Sequence, residues 1–159
     1  MMHPATQRVV SAAQELGLML NIVTFDQSTR TASEAASAVG CEVAQIVKSL
    51  CFVVNEQPII ALVSGANQLD VGKLAALHGV GKKRVQRADA ETVKAATGFT
   101  IGGVSPFGHA RPLPIFLDED LLRFETIWAA AGTPNTVFPI LPTQLQTYTN
   151  AVVADLKQG

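Results

Sequence analysis

Two runs of the chain, IVKSLCFVV (46–54) and PIIALVS (58–64), are apolar, rich in β-branched residues and separated by the short polar link NEQP. No other feature limits the fold as much. Runs this short and apolar read as strands, and the link between them makes a hairpin. Strands apolar along their whole length must be covered on both faces. One residue breaks the pattern. Alternation puts Ile46, Lys48, Leu50, Phe52 and Val54 on one face of the first strand, and Val47, Ser49, Cys51 and Val53 on the other. An unpaired ammonium buried there would be costly or would lose its proton. Two readings of Lys48 stay open: a snorkelling side chain with its head in water, or a cation aimed into a cleft that receives an anion or a carbonyl.

The rest of the chain supplies the cover. Residues 4–16 have helical spacing behind Pro4. NIVTFD (21–26) reads as a strand. Thr31 and Glu34 form a capping box for a helix that Gly40 ends. Asp70 and Asp89 are N-caps of two further helices, stopped at Gly79 and Gly98, and KRVQRA between them reads as a strand. IFLDEDLL and FETIWAAAG read as strands, with the acids 118–120 solvated, and a short strand and a C-terminal helix close the chain. The order shows no βαβ period and no internal repeat. With 159 residues, 48% of them hydrophobic and 16% charged, it predicts one α+β domain over 1–159, a mixed sheet curved around one core with helices outside.

Several functions are excluded. The net charge of −1 gives no global field for nucleic acid, and no helix carries a basic face for a DNA groove. No run reaches a membrane span, and MMHPATQRVV is not a signal peptide. Three scattered histidines and the two cysteines, Cys41 and Cys51, have no metal-ligand spacing. Free thiols suit the cytoplasm. There is no phosphate-binding loop, dinucleotide fingerprint or G-x-S-x-G nucleophile. What remains is sparse. The loop GGVSP, Gly102, Gly103, Val104, Ser105 and Pro106, lets backbone approach a ligand and offers N–H groups to developing negative charge. His109 follows in the same loop. Lys82, Lys83 and Arg84 belong to the basic run GKKRVQR, which is either a solvated turn or a phosphate-contacting patch. Any chemistry must use backbone donors, one lysine, water and the substrate itself.

TASEAASAVGCEVAQIVKSLCFVV, ALVSGANQLDVGKLA and ATGFTIGGVSPFGHARPLPIFLDEDLL occur in this order, and the combination resembles the YbaK/EbsC family, free-standing relatives of the editing domain inserted in bacterial prolyl-tRNA synthetases. The resemblance covers residues 22–156. It implies a mixed, barrel-like β-sheet with flanking helices, and trans-editing: hydrolysis of the ester of mischarged tRNA, with tRNA(Pro) carrying Ala or Cys as the expected substrate. The alternative is a non-catalytic module that binds aminoacyl-tRNA or a synthetase. The family lysine corresponds to Lys48 and its G-x-x-x-P loop to Gly102 through Pro106. Substrate contacts are expected from Thr31, Phe52, Ile101, Phe107 and His109, with Phe52, Val54, Ile101, Phe107 and His109 as pocket walls, and from Lys82, Lys83 and Arg84 on the acceptor end. The expected partners are aminoacyl-tRNA and prolyl-tRNA synthetase, with no cofactor and no metal.

Overall fold

The computed structural model describes residues 2–29 and 31–159. Pro4 opens α1 (Pro4–Glu15), with the His3 imidazole accepting from the Ala5 N–H. The expected strand at 21–26 shrinks to β1 (Val23–Thr24). Thr31 caps α2 (Ala32–Val39) by accepting from the Glu34 N–H, and Gly40 ends it at φ 77°. The hairpin then forms. β2 (Val47–Val54) and β3 (Gln57–Ser64) pair antiparallel, from Val47 opposite Ser64 to Val54 opposite Gln57. Only Asn55 and Glu56 turn the corner, both at positive φ (49° and 72°), which gives the twist a two-residue hairpin needs.

α3 (Val71–Leu77) starts at its Asp70 cap, and a single basic 3₁₀ turn, Lys82–Arg84, leads into β4 (Val85–Arg87). Asp89 caps α4 (Ala90–Thr97) and Gly98 ends it. β5 (Ile115–Asp118) runs straight into a 3₁₀ turn, Glu119–Arg123, so the expected strand is half that length. Asp118 is not solvated, as the sequence suggested. It is fully buried and accepts from the Leu156 and Asp120 N–H groups, which offsets the cost of sequestering it. β6 (Ile127–Ala130), β7 (Thr136–Ile140), α5 (Pro142–Thr149) and β8 (Val152–Ala154) complete the chain. The C-terminal helix stops where Asn150 turns left-handed at φ 56°.

The strands make two sheets: a five-stranded one in the order β4-β2-β3-β5-β8 and a three-stranded one in the order β1-β7-β6. The fold is therefore α+β with a mixed main sheet, since β3–β5 and β5–β8 are parallel. It is not a closed barrel. β2 meets the small sheet only at an isolated bridge between Ile46 and Trp128, and β8 is the free far edge. β3 is buried on both faces. Ile60 and Leu62 pack toward α1, α4 and the small sheet with Val9, Val93 and Phe138, while Ile59, Ala61 and Val63 pack under α3 with Phe52, Val54 and Leu74.

Candidate active site

The site follows from the length of β4. It pairs with β2 only at Phe52, Val53 and Val54, after which Ala88 N–H takes the Cys51 carbonyl and Asp89 turns the chain into α4. The first half of β2 therefore has a partner on one side only. Cys51 points its backbone groups toward β4, so alternation points those of Ser49 into the same gap. The gap opens into a cleft of about 340 Å³, at the low end of the ~300–1,000 Å³ of small-molecule sites. Val47, Ser49 and Cys51 form its floor. Val93, Val104, Trp128, Thr133 and Val137 form its walls, and the exposed Thr31 and Ile101 are also among its lining residues.

Because the cleft lies at a strand edge, side chains from both faces reach it. Lys48, half-buried, is among its lining residues. Its ammonium donates to the Asn67 carbonyl in the loop after β3. Asn67 is held in turn by its side-chain amide, which donates to Asp120 at 2.8 Å. That bond is the main reason the Asp120 carboxyl titrates below its ordinary value. Burial pushes the Lys48 pKa down, and the nearby Arg87 guanidinium adds to this. Arg87 also lines the cleft, 6.0 Å from the Phe52 ring centroid. Two cations thus sit at the cleft, and no acidic side chain is among its described lining residues.

The GGVSP loop supplies the opposite wall through Gly102 and Val104. The loop is fixed at several points. Ala110 N–H bonds the Thr97 carbonyl at its neck, and Arg8 of α1 donates to the Gly108 carbonyl at 2.9 Å while its guanidinium lies over Phe99. Gly103 packs against the Gly132 backbone, and its N–H is engaged by the Thr100 carbonyl. Ser105 and Pro106, the last two residues of the loop, are buried and are not among the cleft's lining residues. His109 Nε2 donates to the Ser105 carbonyl at 2.7 Å, and neither residue is among those lining the cleft.

The structure thus brings together Thr31, Lys48, Ile101, Gly102 and Val104. It places Phe52 and Val54 under α3, Phe107 against Phe138 in the core, and His109 behind the loop. Lys82, Lys83 and Arg84 are exposed on their turn, outside the cleft lining. Arg87, Trp128 and Thr133 line the cleft without having been singled out in the sequence. Arg87 was visible in the basic run; the other two carried no signal. Burial raises the Cys51 thiol above its ordinary pKa, against the opposing charge of Arg111, so this cleft residue is a poor nucleophile. Among the described residues no group of three or more His, Cys, Asp or Glu could hold a metal, and no helix is long and apolar enough to cross a membrane.

His109 carries a pH prediction. Burial lowers its pKa, the Ser105 bond works the other way, and Arg8 lowers it further. A depressed histidine stabilises the fold fully above its unfolded value of ~6.5, and that contribution fades as pH falls through the lower folded value. Tm should therefore drop more steeply between pH 7 and pH 5 in the native chain than in His109→Gln. Equal slopes would deny His109 the buried, neutral state.

A cleft that holds two cations and is walled by a glycine loop, on this pair of sheets, marks a class. The chain belongs to the aminoacyl-tRNA editing domain family, whose pattern matches residues 26–148. It is 30% identical over 127 residues to EbsC of Enterococcus faecalis, a candidate Cys-tRNA(Pro)/Cys-tRNA(Cys) deacylase, covering 79% of this chain and 76% of that one. Over 102 residues it is 38% identical to the proline–tRNA ligase of Maridesulfovibrio salexigens, 64% of this chain but 17% of the ligase. The crystal structure of a candidate trans-editing enzyme for prolyl-tRNA synthetase superposes with a TM-score of 0.94 at 49% identity, covering 100% of both chains.

Proposed function

We propose that this protein acts in trans as a deacylase of mischarged tRNA, releasing a small amino acid from the 3′ end of tRNA(Pro). The observation that carries the reading is the placement of Lys48 and the Gly102–Val104 wall around one cleft in a member of the editing family. An aminoacyl ester is already activated, so positioning and electrostatic stabilisation are enough. Water oxygen attacks the ester carbonyl, the bond to the ribose oxygen breaks, and the water's proton passes to that oxygen. The products are the free amino acid and a tRNA with its hydroxyl restored. The Lys48 ammonium, released from Asn67, meets either the terminal phosphate or the carbonyl oxygen as it gains charge. Arg87 adds a second positive charge at the cleft. The ribose hydroxyl beside the ester or the substrate amine orients the water, so no protein base is required.

The test is a panel of tRNAs, each charged with one amino acid, incubated with the purified protein. Release of a small amino acid from tRNA(Pro) supports the reading and names the substrate. Saturable binding with no release from any member would replace it with the binding-module reading.

The exposed turn Lys82–Arg84 is the candidate contact for the acceptor end. Replacing Lys82, Lys83 and Arg84 together by alanine should weaken tRNA binding and flatten its dependence on log salt by about 0.7–0.9 per lost phosphate contact, without altering which amino acid is released. An unchanged salt slope would return the turn to the solvated surface.

A further inference from the structure

Ser49 sits on the cleft floor between Val47 and Cys51. Its Oγ is sequestered from solvent and is the one buried side-chain N or O atom, among the described residues, with no hydrogen-bond partner. Such a group is costly to keep, and a folded chain retains few. The other hydroxyls of the cleft are engaged: Thr29 with the Pro134 carbonyl, Thr31 with Glu34, and Thr133 with Thr136 and Asn135. Ser49 differs from them in a second way. It lies on the stretch of β2 that β4 leaves without a partner, and alternation turns its backbone N–H and C=O toward that gap. Its hydroxyl can bond a molecule in the cleft without giving up a hydrogen bond within the protein.

We propose that Ser49 is a specificity-determining residue of the editing site: its hydroxyl takes the hydroxyl of the substrate's side chain, so that the preferred substrate is a tRNA bearing a small β-hydroxy amino acid. This rests on the deacylase reading above and names the substrate class of the same site. The α-ammonium of the substrate is a poor occupant for this position. Lys48 and Arg87 line the cleft, no acid does among the described residues, and Val47, Val93 and Val104 give the floor and wall little capacity to solvate a cation. A neutral hydroxyl suits it. Apolar contact alone separates substrates differing by one small group weakly, whereas a site with its own hydrogen-bonding group rejects the analogue that leaves that group unpaired.

Serine and 2-aminobutyrate differ by hydroxyl against methyl at nearly equal size, which makes them the decisive pair. tRNA(Pro) charged separately with serine, 2-aminobutyrate and alanine is offered to the native protein and to Ser49→Ala, and kcat/KM is measured for each. The native protein should favour serine over 2-aminobutyrate by about 10- to 100-fold. Ser49→Ala should bring that ratio close to one while the alanine and 2-aminobutyrate rates hold within about threefold of native. Its Tm should be equal or higher, since an orphaned polar group is gone. A native protein indifferent to the pair, or a Ser49→Ala variant slowed alike on all three, overturns the assignment; the second result would give the hydroxyl a part common to every substrate. If the broader panel shows release of other amino acids but not serine, Ser49 is refuted and the deacylase stands. If nothing is released from any tRNA, the deacylase reading falls and takes this one with it.

Discussion

Lys48→Ala should lower single-turnover release of amino acid by at least about 10²-fold, the usual loss when a preorganised charge-stabilising group is removed, while the fold survives. The survival follows from what Lys48 holds. Its one described bond is to the Asn67 carbonyl, and Asn67 has other anchors: its N–H donates to Ser64 and its amide to Asp120. The charge is also a burden to the native state. Burial and Arg87 both depress its pKa, so folding disfavours the protonated form. For a depressed lysine the stability contribution is complete only above the ordinary value of ~10.4, and at neutral pH the folded chain carries the penalty. Alanine removes that penalty along with the bond, so Tm should move by a few degrees at most. Lys48→Met separates charge from packing, because it keeps the stem and should be as inactive as alanine. Native rates in either variant would remove Lys48 from the chemistry.

The sequence made the local devices readable and left their assembly hidden. Thr31, Asp70 and Asp89 cap helices and Gly40 and Gly98 end them, as their spacing predicts. The hairpin was readable because both strands are apolar and the link is short. The face of the cleft was not. Alternation correctly grouped Lys48 with Leu50 and Phe52, and from this Phe52 and Val54 were expected as walls. In the structure that face is roofed by α3, and Lys48 reaches the cleft only because β4 pairs with β2 over three residues. The length of that pairing depends on where Asp89 turns the chain, a relation between segments that neither segment shows alone. The loop misled for a related reason. Phe107 and His109 lie in a glycine-rich stretch that looks exposed, yet Arg8 and Gly132 pin it to α1 and to the β6–β7 connection, turning these rings inward. The barrel expectation failed because the small sheet touches β2 at one bridge rather than along a strand.

Gly103→Ala should cost both stability and activity, and Gly102→Ala mainly activity, because the two neighbours are glycine for different reasons. A Cβ on Gly103 would stand 2.7 Å from the Gly132 carbonyl oxygen and 3.0 Å from the Thr133 Cα. These are backbone atoms and cannot swing aside. Gly132 has no room to retreat either: it sits at φ 98° with its own Cβ position 2.8 Å from the Ala5 carbonyl carbon and oxygen of α1. One methyl therefore pushes on the loop, the β6–β7 connection and α1 in series. Overpacking of this kind costs about 1–3 kcal/mol, or roughly 2–12 °C in Tm at ~2–4 °C per kcal/mol for a domain of this size. The same displacement moves Val104 and Thr133, which both line the cleft, so release should fall by about 10²-fold, the penalty for ångström-scale misplacement. Gly102 is exposed, and its Cβ would meet nothing nearer than Pro134 at 4.0 Å. Its constraint is φ 96°, which alanine escapes by letting an exposed tip of the loop relax. That relaxation displaces the cleft wall but leaves the packing behind it intact. Thermal melts and single-turnover assays on both variants check this: a Gly103→Ala protein melting like the native one would show that the loop is not wedged against the β6–β7 connection and α1 as its contacts indicate.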